Sequence, residues 1–127
     1  MDKLLLVFVG GGIGSVARYL LGVSATRSLG FGWPYGTFAA NVLGGFAMGF
    51  LVSWLAHRGG ADQERWRVLI GVGVLGGFTT FSTFSLETAL MIQRRDYGQA
   101  AGYAAASVIM AIGGLFLGLL AARRIFA

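Results

Sequence analysis

Four continuous apolar runs, residues 4–23, 36–56, 68–92 and 100–122, divide the chain. Between them lie three short polar or turn-rich segments, SATRSLGFGWPY, HRGGADQERWR and QRRDYGQ. Each run reaches or exceeds the roughly 20 residues that an α-helix needs to cross the hydrocarbon of a bilayer. None shows the inside–outside alternation of a transmembrane strand. The pattern predicts an all-α membrane protein, with residues 1–127 forming one integral membrane domain of four transmembrane helices. The first run has some features of a secretory leader, Lys3 ahead of it and the small-residue stretch SVA before Arg18. It nevertheless stays apolar through YLLGV and its basic region is thin, so it is read as a retained span.

Glycine then refines the picture. There are 22 glycines, and in a soluble helix each costs roughly 1 kcal/mol relative to alanine. In a bilayer they become surfaces on which helix backbones approach closely. Every run holds a Gly-x-x-x-Gly pair: Gly10/Gly14, Gly45/Gly49, Gly73/Gly77 and Gly114/Gly118. Four pairs, one per span, predict a compact bundle with tight crossings. No internal repeat is visible, so any inverted symmetry must come from a second copy of the chain.

Composition agrees with the pattern. Only 12% of residues are charged and the mean hydropathy is +0.73, whereas about a quarter of a soluble domain is charged. The formal charge is +5. The basic residues sit at the ends of the apolar runs and form no stripe with interleaved aromatics, which argues against nucleic acid as a partner. An even span count places Lys3, Arg58, Arg65, Arg67, Arg123 and Arg124 on one side of the membrane. Arg27, Arg94 and Arg95 lie on the other, with Arg18 leaning toward them. The positive-inside bias is therefore weak and leaves both insertion in one orientation and insertion in two open. An antiparallel dimer would require the second.

Polar groups inside the spans need a reason, because an unpartnered one costs several kcal/mol in hydrocarbon. His57 ends the second span as an interfacial residue. Arg18, about five residues from the end of the first span, reads most simply as an interfacial anchor. Glu87, the only acid within a span, faces protein or a watery vestibule. Asn41 lies too deep to snorkel; it is either interhelical glue or a carboxamide offering two N–H donors to a polar solute.

The stretch GGFTTFSTFSLE carries five hydroxyls, Thr79, Thr80, Ser82, Thr83 and Ser85, directly after Gly76 and Gly77. That is more than helix packing needs, and a glycine pair before hydroxyls is where a helix can break and turn carbonyls toward a cation. Phe81 and Phe84 either pack or present the positive edges of their rings to an anion. Tyr103 and Ser107, at i and i+4, extend a donor track that ends at Ala111. Such a path has no lysine or arginine. Many weak donors favour both admission and release of an ion, which conduction requires.

Through GGGIGSVARY, WPYGTFAANVLGGF and GGFTTFSTFSLE, the whole chain resembles the Fluc/CrcB-type fluoride channel family. The resemblance implies a multi-pass protein of the bacterial inner membrane that is not an enzyme and assembles as an antiparallel, dual-topology homodimer. It also implies two fluoride pathways per dimer that lower fluoride toxicity by export. By motif, Asn41, Thr80, Phe81, Ser82, Thr83, Phe84, Tyr103 and Ser107 would line the pathway, with Arg18 and Glu87 toward the vestibule. A structural sodium ion would be held by the backbone carbonyls of Gly76 and Thr79. Ala111 departs from members that continue the hydroxyls there. Two alternatives remain: a proton-coupled small-solute exporter of the antiparallel four-helix dimer type, resting on Glu87, and a packing subunit of a larger complex.

Overall fold

The computed structural model describes residues 2–58 and 60–126. It contains four helices long and apolar enough to cross a membrane. These are α1 (Asp2–Leu29), α2 (Tyr35–Arg58), the third span (Gly60–Gln93) and α6 (Tyr97–Phe126). Each runs past its apolar stretch at one or both ends, and the added residues are those suited to the headgroup layer. Arg27 falls in the last turn of α1, His57 and Arg58 in the last turn of α2, and Arg123 and Arg124 in the last turn of α6. Basic side chains there also complement the negative helix terminus. Gly30, at φ +84°, ends α1, and its amide returns to the Thr26 carbonyl at 2.9 Å.

The third span is not uniform. After a 3-10 turn at Gly60–Asp62 it winds as α3 (Gln63–Trp66), a π-helical segment (Arg67–Leu75) and α4 (Gly76–Phe78). Thr79 is extended, at φ −88° and ψ 159°, and helix resumes as α5 (Ser82–Gln93). Locally, the Leu75 carbonyl takes both the Thr79 amide at 3.0 Å and the Thr79 hydroxyl at 2.9 Å. A hydroxyl that bonds back four residues competes for the carbonyl and favours a bend at that point.

The glycine pairs organise the packing two by two. A Cβ built on Gly10 or Gly14 of α1 would overlap the carbonyl oxygens of Leu69 and Val74, and one on Gly73 would come within 3.0 Å of the Gly10 Cα. In the other half, Gly45 and Gly49 of α2 lie on the carbonyls of Ala111 and Leu115, and Gly118 of α6 lies on that of Phe46. So α1 packs on the third span and α2 on α6, backbone against backbone. Ion pairs join the outer ends of the first pair: Asp2 to Arg65 at 3.6 Å and Lys3 to Glu64 at 3.8 Å.

Two small apolar clusters form the interior, Leu51, Leu55 and Leu75 in one and Met91, Ala100 and Tyr103 in the other. Large apolar side chains mostly point outward, Phe8 at 79% and Ile109 at 66% exposed. Lipid tails are as apolar as leucine, so bundles of this kind gain from close backbone contact rather than from hiding side chains.

Candidate functional site

The break at Thr79–Phe81 is held from α2. The Asn41 side chain donates from Nδ2 to the Thr80 carbonyl at 3.0 Å, and its Oδ1 accepts the Thr80 amide at 2.8 Å. One carboxamide thus pairs with both backbone groups of a single residue, as a strand neighbour would. The second N–H of Nδ2 remains for another acceptor. One turn along α2, a Cβ on Gly44 would overlap the Thr79 methyl group, so α2 can lie this close only with glycine there.

Thr80 in turn organises α5. Its hydroxyl accepts the Thr83 amide at 3.2 Å and lies 3.3 Å from the Ser82 hydroxyl, which satisfies one of the orphan donors of a helix start. In an unbroken helix the amides of Thr80 and Thr83 would close onto the carbonyls of Gly76 and Thr79. Both amides are engaged elsewhere, so those two carbonyls lose their helical partners. On the α1 side, Arg18 donates from Nε to the Gly77 carbonyl at 3.2 Å.

Asn41, Thr79, Thr80, Phe81, Phe84 and Ser107 line a groove of about 440 Å³ between α2, the third span and α6, and Gly76 and Ala111 border it as well. Phe81 is 77% exposed. Its ring centroid lies 5.5 Å from that of Phe84, which lies 5.1 Å from that of Tyr103. Ser107 is buried at 6%, and its hydroxyl has no hydrogen-bond partner among the described residues. Leaving such a group unpaired costs about 1–3 kcal/mol, a debt that a bound acceptor would remove. No charged side chain lines this groove among the described residues.

A second group of residues lies apart. Arg18, Thr83, Thr37 and Arg27 line a groove of about 420 Å³ between α1, α2 and α5. Glu87 lines neither groove: Tyr103 donates its hydroxyl to Oε1 at 2.9 Å and Thr37 donates to Oε2 at 3.0 Å. Tyr103 is fully buried, its ring set edge-on to Trp33 at 5.1 Å.

The residues singled out from sequence are therefore divided. Asn41, Thr80, Phe81, Phe84 and Ser107 meet in one groove together with Gly76 and Thr79. Arg18 and Thr83 face another, Glu87 and Tyr103 bond to each other outside both linings, and Ser82 lies exposed at the start of α5. Thr37 was missed. It sits in the second motif, but a lone threonine near the start of an apolar run carries no signal until the fold sets it beside Glu87.

Fold and groove define a four-span integral membrane protein with an uncharged, donor-lined cleft at a helix break. Residues 5–119 match the family model described as CrcB-like protein, Camphor Resistance (CrcB). The "Fluoride-specific ion channel FluC" of Caulobacter vibrioides (strain NA1000 / CB15N) is 70% identical over 127 residues, covering all of both chains. That of Phenylobacterium zucineum is 68% identical over 127 residues, again covering all of both. The protein of the same name from Novosphingobium aromaticivorans is 54% identical over 121 residues, covering 94% of each. The chain belongs to the CrcB-like family, and it is a multi-pass integral membrane protein.

Proposed function

We propose that this chain is a fluoride-selective passive channel, not an enzyme, through which cytoplasmic fluoride leaves down its own gradient. Full-length relatives at up to 70% identity, each named a fluoride-specific ion channel, carry the reading. The chemistry of the first groove supports it. A bare anion in low dielectric costs tens of kcal/mol unless compensated. Here the compensation is spread over the spare Asn41 N–H, the unpaired Ser107 hydroxyl and the positive edges of Phe81 and Phe84. Dispersed weak donors stabilise the ion without trapping it, as a fixed cation would.

The working unit is an antiparallel homodimer with two such pathways. The donor set at the break supports this. Two neutral carbonyl oxygens, Gly76 and Thr79, suit a hard cation such as sodium, but two are fewer than a hard cation takes. A second copy related by a two-fold axis would bring four. The weak charge asymmetry between the two sides of the chain is compatible with both insertion orientations.

The proton-coupled exporter depends on Glu87. Both of its carboxylate oxygens accept hydroxyl bonds from Thr37 and Tyr103, an engagement that supports a structural node rather than a mobile proton carrier.

Liposomes holding only the purified chain test the proposal. Fluoride loss without a proton gradient, with chloride retained, is the expected result; chloride loss at similar speed removes the selectivity claim. In the same assay, Phe81→Ile keeps apolar bulk at an exposed position but deletes the ring edge. Fluoride efflux is expected to fall by at least about tenfold, the equivalent of 1.4 kcal/mol, while the melting temperature stays within a few degrees. Retained efflux would mean that the ring serves only packing.

A further inference from the structure

We propose that Arg18 is a positioning residue for the helix break: it occupies the Gly77 carbonyl and so leaves the neighbouring Gly76 carbonyl without a competitor for a cation. This rests on the cation reading above and extends it to α1.

The argument begins with spacing. Gly14 lies against the turn that ends the first half of the third span, where an added Cβ would overlap the Val74 carbonyl and come within 2.9 Å of the Phe78 amide. From the facing helix, a Cβ on Gly77 would meet the Gly11 carbonyl at 2.5 Å and the Ser15 amide at 3.1 Å. Four residues beyond Gly14 on the same face of α1 comes Arg18, so the glycine contact delivers a guanidinium to the end of α4. A helix end leaves its last carbonyls without partners, and a cationic donor there is favourable.

The carbonyls around the break are then sorted. Leu75 accepts from Thr79 twice, Gly77 accepts from Arg18, and Thr80 accepts from Asn41. Gly76, whose helical amide is drawn off to Asn41, lies between the occupied carbonyls of Leu75 and Gly77, and Thr79, whose helical amide is drawn off to the Thr80 hydroxyl, precedes the occupied carbonyl of Thr80. Without Arg18, the Gly77 carbonyl would compete with that of Gly76 for any cation or water at the break, and the turn would lose its tie to α1. Arg18 therefore acts on the cation site through the backbone rather than by drawing anions to a vestibule.

The test compares wild type, Arg18→Lys and Arg18→Leu as purified full-length protein. One readout is the sodium concentration that gives half-maximal thermal protection, at constant ionic strength maintained with choline. The other is hydrogen exchange of the amides at positions 78–81. Loss of a charged hydrogen bond predicts that Arg18→Leu raises the sodium midpoint on the order of tenfold. It should also speed exchange at 78–81 and leave α6 unchanged. Arg18→Lys, which keeps one donor but not the guanidinium fork, falls between. Equal sodium midpoints in all three proteins, with fluoride efflux of the leucine variant depressed only at low ionic strength, overturn the proposal in favour of anion attraction. A wild-type protein that sodium does not protect overturns the cation reading itself, and with it this role for Arg18.

Discussion

Asn41→Leu is expected to abolish fluoride efflux in the liposome assay and to lower the melting temperature. The leucine fills similar volume, so the loss is one of hydrogen bonds. The Thr80 amide and carbonyl, now paired with Asn41 at 2.8 and 3.0 Å, would both be left without partners beside hydrocarbon. At about 1–3 kcal/mol for each unsatisfied group, the cost is comparable with much of the stability of a small domain. The break would be expected to relax toward continuous helix, drawing the Thr80 amide back onto Gly76 and erasing the freed carbonyl. Asn41→Asp separates the two roles of the side chain. It retains an acceptor for the Thr80 amide but sets an oxygen against the Thr80 carbonyl and a negative charge in the anion groove. Its efflux should also vanish, with thermal stability falling less if the acceptor half dominates. Substantial efflux from the leucine variant would show that the break does not depend on α2.

Gly14→Ala is expected to prevent α1 from seating on the third span. The neighbouring atoms are the Val74 carbonyl and the Phe78 amide, which are backbone and cannot rotate away as a side-chain terminus could. Overpacking of this kind costs about 1–3 kcal/mol or more. In a bilayer no hydrophobic gain between helices offsets it. Loss of folded protein by size-exclusion chromatography, and of efflux from whatever folds, is the expected outcome. Gly118→Ala should behave alike, because its Cβ would overlap the Phe46 carbonyl. The controls are Gly11→Ala and Gly113→Ala, where an added Cβ meets nothing within 4 Å. They are expected to be neutral or slightly stabilising, since alanine is the better helix former. Equal damage at Gly11 and Gly14 would mean that close approach is not what glycine provides.

Some of the site was legible from residue order and some was not, for local reasons. Asn41 stands out in any apolar run, because a carboxamide in hydrocarbon must have a partner. Its partner, the two backbone groups of Thr80, could not be read, since backbone atoms leave no mark in composition. Two groups of the Asn41 side chain fasten the break, and one N–H is left over. Tyr103 and Ser107 share a helix face as their spacing implies, yet they differ in condition, the first bonded to Glu87 and the second unpaired. Arg18 was legible in part. A basic residue near a span end suggests an interfacial role, whereas the bond from its Nε to the Gly77 carbonyl depends on the crossing at Gly14.

By itself, the sequence determined that this is a four-span α-helical membrane protein with close crossings and a polar interruption in its third span. Those properties follow from run length, glycine spacing and the cost of polar groups in hydrocarbon, all of which act over neighbouring residues. The tertiary structure alone decided which glycine pairs meet, α1 with the third span and α2 with α6. It also decided that the amides of Thr80 and Thr83 leave their helical carbonyls, and that the hydroxyl-rich stretch divides between two grooves. The bonds that tie the break to α2 and to α1, Asn41 to Thr80 and Arg18 to Gly77, join atoms 39 and 59 positions apart. A hydrogen bond over that separation is set by how the helices cross, which no local pattern encodes.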